Sequence, residues 1–248
     1  MFLFRIITYG HFKKVFFLYS IKMSLTSIAG KLFLARQKKL EQHINGAETL
    51  QHNVLNHLIE KGRYTEYGRK HLFSSIKNYD DFTRNVPVNT YEELKADIDR
   101  MRHGEPDVLW PGTVKWFAKS SGTTNDKSKF IPISPEGLHH IHYQGGADVV
   151  AFYLRNNPDS RFFSGKGLIL GGSHAPNYNL KDSLVGDLSA ILIQNVNPLV
   201  NLIRVPKKEI ALLSDFEVKR DRIARSTIGK NVTNLSGVPS WMLSVLRR

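Results

Sequence analysis

The chain has 248 residues, 41% hydrophobic and 23% charged, with 18 Gly and 10 Pro, which excludes disordered, collagen-like and low-complexity classes. It has no cysteine, which excludes disulfides, thiolate zinc sites, iron–sulfur clusters and cysteine nucleophiles, and favours a cytoplasmic setting over a secreted one. The formal net charge of +13 sits at the two ends: residues 1–50 carry eight basic and two acidic side chains, residues 201–248 carry ten and four, and residues 51–150 are balanced, unlike the single basic, aromatic-rich module of a nucleic-acid binder.

Residues 1–22 are rich in Phe, Leu and Ile, but Arg5, Gly10, His11, Lys13 and Lys14 interrupt them. The longest apolar run, Val15 to Tyr19, is too short for a spanning helix or a signal peptide. This stretch reads as an extension ahead of the domain, from a start codon placed too early, with a weak amphipathic membrane contact as the alternative. No membrane partner is expected.

From Ser24 to Gly62 the pattern predicts helix, with Ile28, Leu32, Ala35 and Lys39 on one spacing and Leu50, Val54, Leu55, Leu58 and Ile59 on the next, and Gly62 as the stop. Tyr64 to Phe73 predicts a short helix. Asn85 to Val88 predicts an extended connection, because Pro87 disfavours helix before it. Thr90 and Glu93 form a capping box that opens a helix to about Met101, with Gly104 following. Val114 to Ala118 predicts a short strand leading into Ser120. Ser134-Pro135-Glu136 predicts a helix start, running to about Leu154.

Gly167 to Gly172 predicts a buried strand that ends in a glycine turn. Ala190 to Ile193 fits helix or strand equally. Lys207 to Ile228 predicts one long charged helix, with Ile210, Leu213, Phe216, Val218 and Ile223 for its buried side. Asn234 to Pro239 predicts a strand and turn, and Ser240 the cap of a last helix. Strands alternating with helices place the chain in the α/β class.

The stretch richest in chemistry is Lys119-Ser120-Ser121-Gly122-Thr123-Thr124-Asn125-Asp126-Lys127-Ser128-Lys129-Phe130-Ile131-Pro132, placed between a predicted strand and a predicted helix. Gly122 admits a backbone path that a Cβ would block. A tight turn there would aim amides inward as an anion nest. Ser120, Ser121, Thr123 and Thr124 add hydroxyl donors, and Lys129 adds a compact positive charge suited to phosphate. Hydrogen bonds to charged groups contribute about 1.5–3 kcal/mol each, enough for a few of them to hold and orient a triphosphate. Neither a Walker A loop nor a G-x-G-x-x-G motif is present.

This stretch resembles the phosphate loop of adenylate-forming enzymes, S-S-G-T-T-x-G-x-x-K-x-x-P, matched by Ser120, Ser121, Gly122, Thr123, Thr124, Lys129 and Pro132. Asp126 stands where that pattern has its second glycine. Within that superfamily the chain is most similar to the auxin-responsive Gretchen Hagen-type family of acyl acid amido synthetases. Tyr91-Glu92-Glu93-Leu94, Trp110-Pro111-Gly112, Lys119 and Gly237-Val238-Pro239-Ser240-Trp241-Met242-Leu243 carry that likeness, over roughly Tyr79 to Arg248.

The resemblance implies an α/β fold, the incomplete N-terminal portion of an acyl-adenylating domain with sheets flanked by helices. Residues 23–248 would form that partial adenylation domain, with the C-terminal domain absent. It implies ATP-dependent adenylation of a small carboxylic acid, with Mg2+ accompanying the ATP, followed by amide formation with an amino acid or another amine. Ser120, Ser121, Gly122, Thr123, Thr124 and Lys129 would bind the nucleotide, with Thr124 and Lys129 in the catalytic role. Family members are much longer, so this chain alone is expected to be inactive or nearly so. A thioester-forming ligase of the same superfamily, and a non-catalytic basic fragment that binds nucleic acid or anionic surfaces, are the alternatives; no nucleic-acid partner is expected on the first reading.

Other signals are weaker. Ser173 and His174 follow a predicted strand, where open α/β sheets place ligands, and are candidates for the substrate pocket. His139, His140 and His142 read as helix histidines rather than a metal site. Arg155 and Arg161 read as exposed charge, Trp116, Phe117 and Trp241 as core, and Lys219 to Arg225 as a solvated helix face.

Overall fold

The computed structural model describes residue 33 and residues 35–120 and 128–248. The extension at residues 1–22 and the loop tip at residues 121–127 lie outside them. Residues 35–45 are helical and lead into α1 (Ala47–Gly62), which ends at the predicted Gly62. Ile59 is buried, whereas Leu50, Val54 and Leu58 of the same apolar spacing face solvent.

Three short helices follow. Thr65 caps α2 (Glu66–Lys70): its hydroxyl accepts from the Gly68 amide and donates to the Gly62 carbonyl. Asn78 caps α3 (Tyr79–Asn85), a helix with no forecast in the apolar spacing. At α4 (Tyr91–Arg102), Glu93 accepts from both the backbone amide and the hydroxyl of Thr90, at 2.6 and 2.8 Å. Gly104 then turns the chain out at φ +88°, where a Cβ would lie 2.8 Å from Asp182. Both terms favour glycine at that helix end.

The first sheet has the order β2-β1-β4, formed by β1 (Trp116–Lys119), β2 (Phe130–Ile133) and β4 (Leu184–Gly186). β1 and β2 are antiparallel, with Trp116 opposite Ile133 and Lys119 opposite Phe130; β4 runs parallel to β1. This corrects the expected setting of the hydroxyl-rich loop. It links two strands of a hairpin, and the helix at Ser134 begins only after β2. Pro132, which has no amide to donate, is tolerated because β2 lies at the sheet edge.

The two faces of β1 divide the core. Phe117 packs with Ile98, Met101, Val108, Val114 and Val185 on the α4 side. Ala118 packs with Ile133, Leu138 and Ile191 on the other. The alternation is that of a strand covered on both faces. Leu138 belongs to a π-helical turn, Gly137–Tyr143, that runs straight into α5 (Gln144–Asn156). The Ser134 hydroxyl accepts from the Gly137 amide at its start. Ile191 belongs to α6 (Leu188–Asn195), which settles the ambiguous 190–193 run as a buried helix.

The second sheet is parallel throughout, in the order β5-β3-β6, from β3 (Lys166–Ile169), β5 (Arg204–Val205) and β6 (Val232–Ser236). Leu168, Leu170, Val205, Ile223, Met242 and Val245 pack together behind it. The single long helix expected from Lys207 to Ile228 is two, α7 (Lys208–Ala211) and α8 (Phe216–Thr227). Asp215 restarts it by accepting from the Val218 amide at 2.8 Å. The last helix, α9 (Pro239–Leu246), has its N-cap at Val238 and Pro239 as its first residue, so the cap lies two positions earlier than the expected Ser240. Among the described residues no helix is long and apolar enough to cross a membrane.

Candidate functional site

The hairpin base is closed by its two end residues. The Ser120 amide donates to the Lys129 carbonyl at 2.9 Å, and the Lys129 amide donates to the Ser120 hydroxyl oxygen at 3.0 Å. Of the predicted phosphate-binding set, the structure thus brings Ser120 and Lys129 together. Ser121, Gly122, Thr123, Thr124 and Asp126 lie outside the described residues.

Aromatic rings surround that base. Tyr91, the first residue of α4, accepts from the Phe130 amide at 2.9 Å and so ties α4 to the start of β2. The Lys129 ammonium sits 5.1 Å from the centroid of the Tyr91 ring. The Lys119 ammonium sits 4.3 Å from the centroid of the Tyr178 ring. The Arg102 guanidinium covers the Phe130 ring at 3.8 Å and donates to the Tyr178 carbonyl at 3.0 Å. Phe130 and Tyr178 are themselves 5.8 Å apart, centroid to centroid. Three cations therefore rest on aromatic faces around the loop base. Ion pairs among the described residues engage Arg102 but neither lysine. Such contacts orient an ammonium without neutralising it.

Sequence reasoning missed part of this set. Lys119 carried a signal by its place beside the loop motif, and Tyr91 by its place behind the Thr90 cap. Tyr178 and Arg102 carried none, since only the tertiary fold brings them to β2.

Ser173 and His174 lie elsewhere. The Ser173 hydroxyl donates to the Leu213 carbonyl at 2.8 Å, and its amide donates to Asp187 at 2.9 Å. The His174 ring stacks on Trp116 at 5.4 Å, and the His174 backbone forms an isolated antiparallel bridge with Gly186 of β4; Trp116 lies at the other end and on the other face of β1 from Lys119. Burial holds the His174 imidazole below its ordinary pKa; a hydrogen bond with Gln194 opposes this, and the Lys208 and Lys219 ammoniums reinforce it.

Lys219, expected on a solvated face, is instead buried. Its ammonium donates to the carbonyls of Gly171 and Gly172 at 2.7 and 2.8 Å. Burial lowers its pKa, and Asp187 acts in the opposite sense. Lys219 thereby fixes the glycine turn that ends β3. His139 and His140 are exposed and His142 half-buried. Arg155 pairs with Glu41 and Arg161 is exposed. Phe117 is fully buried, while Trp241 is partly exposed and packs on Phe216.

A model of the GH3 family N-terminal domain matches residues 36–246, across both sheets and the hairpin. The chain belongs to the GH3 family. Two relatives from Arabidopsis thaliana are the indole-3-acetic acid-amido synthetase GH3.15 and the 4-substituted benzoates–glutamate ligase GH3.12. The first is 34% identical over 100 residues, 40% of this chain and 17% of that protein. The second is 31% identical over 110 residues, 43% of this chain and 19% of that protein. The fold matches a solved structure of the AtGH3.15 acyl acid amido synthetase in complex with 2,4-DB. Its TM-score is 0.72 at 22% identity, over 86% of this chain and 37% of that one. The GH3 segment described here thus spans under two-fifths of that solved relative.

Proposed function

We propose that this GH3 chain carries the nucleotide-phosphate grip of an ATP-dependent acid–amido synthetase. The observation that carries the reading is the hairpin base, where Ser120 locks the backbone of Lys129 while the Lys129 ammonium rests on a π face and pairs with no described carboxylate. A free carboxylate is a poor acylating agent because its oxygen leaves badly. In the proposed first step an oxygen of the acid attacks the α-phosphorus of ATP; an acyl-adenylate forms and pyrophosphate leaves. In the second an amine nitrogen attacks the acyl carbon, AMP leaves, and the nitrogen loses a proton.

This chain's residues supply positioning and charge for the first step. Ser120 holds the loop end, Lys129 offsets phosphate charge, and the hydroxyls and Gly122 of the motif complete the cradle. Thr124 and Lys129 are assigned the contacts that strengthen as charge shifts onto the leaving pyrophosphate. Ser173 and His174 remain candidates for the substrate side, and burial pushes the His174 imidazole toward its neutral form.

Among the described residues no group of three or more His, Cys, Asp or Glu converges. Magnesium would accompany ATP on the nucleotide's own phosphates and offset part of their charge. The acid and the amino acid remain substrates by analogy with the named relatives. The cytosol, with its ATP supply, is the compartment the reading calls for. Because the segment matches 37% of a solved relative, we expect nucleotide binding from it without completed ligation.

The test is a titration of the chain with ATP by calorimetry, paired with pyrophosphate release in the presence of ATP, magnesium and a panel of acids. Saturable ATP binding with pyrophosphate at background supports the reading. Absence of ATP binding overturns it, and robust turnover overturns the expectation of inactivity.

A further inference from the structure

We infer that Lys119 is a second phosphate-contacting cation of the hairpin base, held in readiness by the ring of Tyr178. The inference rests on the phosphate reading above and extends it to a residue that the loop motif does not include.

Lys119 is the last residue of β1 and faces the α4 side of the sheet, opposite Phe130. It precedes Ser120, so its Cα is one peptide unit from the loop's closing hydrogen bonds. Its ammonium lies 4.3 Å from the Tyr178 ring centroid and forms no ion pair with a described carboxylate. Half-buried at the base, the side chain rests on the Tyr178 ring, which leaves it charged.

That resting place is itself built. The Arg102 guanidinium donates to the Tyr178 carbonyl and stacks over Phe130, and Phe130 packs on Tyr178. Arg102 comes from the end of α4, whose first residue, Tyr91, accepts from the Phe130 amide and supplies the ring for Lys129. One helix thus sets both rests, one for each lysine flanking the loop. A cation–π contact is weak enough to be exchanged for a charge-assisted bond to phosphate. Two lysines bracketing one loop suit an extended, multiply charged anion, a condensed phosphate or the tail of a nucleoside triphosphate, better than a single carboxylate.

The test uses the whole chain with tripolyphosphate as the probe, titrated by calorimetry at fixed salt. Lys119→Gln removes the charge and shortens the stem, leaving a neutral polar end; it is expected to weaken binding about tenfold or more, the loss of one charge-assisted contact. Tyr178→Leu keeps the lysine and removes its rest; it is expected to weaken binding about threefold. Lys230→Ala, in the turn before β6, serves as the surface-charge control and is expected to leave binding unchanged. Equal losses in Lys119→Gln and Lys230→Ala would overturn the inference, because Lys119 would then act only through net charge. Binding lost in Lys129→Ala yet intact in Lys119→Gln would overturn it while the phosphate reading stands. If the wild-type chain binds no tripolyphosphate, the phosphate reading falls and this inference with it.

Discussion

Ser120 and Lys129 hold each other by backbone and side chain at once: Ser120 donates its amide to the Lys129 carbonyl and offers its hydroxyl oxygen to the Lys129 amide. Nine positions apart in sequence, they become neighbours because β1 and β2 pair up to Lys119 and Phe130. The hydroxyl is thus part of the frame that sets where the lysine leaves the hairpin. Replacing Ser120 with Ala should separate frame from fold. The Lys129 amide lies at an exposed site and can turn to water, so stability should fall by less than about 1 kcal/mol. ATP affinity should fall about three- to tenfold, as one side chain–backbone tie is lost. Urea unfolding and calorimetric titration of the same variant check both; an unchanged affinity would remove Ser120 from the site.

Gly172 gives a sharper structural test. A Cβ there would sit 2.0 Å from Asp187 Oδ2 and 2.5 Å from its Cβ. Asp187 has little freedom to move aside, because the same Oδ2 accepts from the Ser173 amide. Gly172→Ala should therefore destabilise the chain by about 1–3 kcal/mol, in the range of overpacked sites. Chemical denaturation measures it, and a loss within error of zero would mean that the turn relaxes freely.

His174 predicts a pH dependence. Burial depresses its folded-state pKa, while the unfolded chain titrates near about 6.5. Between the two values the unfolded state binds more protons, so stability rises with pH across that window and is lost as pH falls below about 6.5. His174→Phe keeps a ring on Trp116 and removes the titration. Its stability relative to wild type should therefore improve on acidification from pH 7 to 5, followed by thermal unfolding at each pH. A constant difference across that range would contradict the assignment.

Much of this architecture was legible in the sequence where the signal was local. Thr90 with Glu93 announced α4, Gly62 and Gly104 announced helix ends, and Ser134 announced the helix after the hairpin. What stayed hidden depended on partners far along the chain. Phe130 to Ile133 contains a proline and becomes a strand only because it lies at the sheet edge. Leu184 to Gly186 is too short to show a period, and its pairing with β1 defines it. Ala190 to Ile193 is apolar on all sides, so burial on every face erased the periodicity that would tell helix from strand. Asp215 looked like one more charge on a helix, although its side chain caps α8. Lys219 looked solvated, because nothing nearby in sequence reveals two carbonyls of a glycine turn waiting for a donor. At the site the motif itself was readable, whereas the aromatic rests from Tyr91 and Tyr178 came from the tertiary fold.

The central claim is that this hairpin base grips nucleotide phosphate. Its most direct test is an ATP titration of the isotopically labelled chain, read at individual backbone amides and repeated on Lys129→Ala. The account predicts saturable shifts at the Ser120 and Lys129 amides, and an affinity at least about tenfold weaker in the variant, the value of one lost charge-assisted contact. Shifts confined to other parts of the chain, or an affinity that the substitution leaves unchanged, would contradict it.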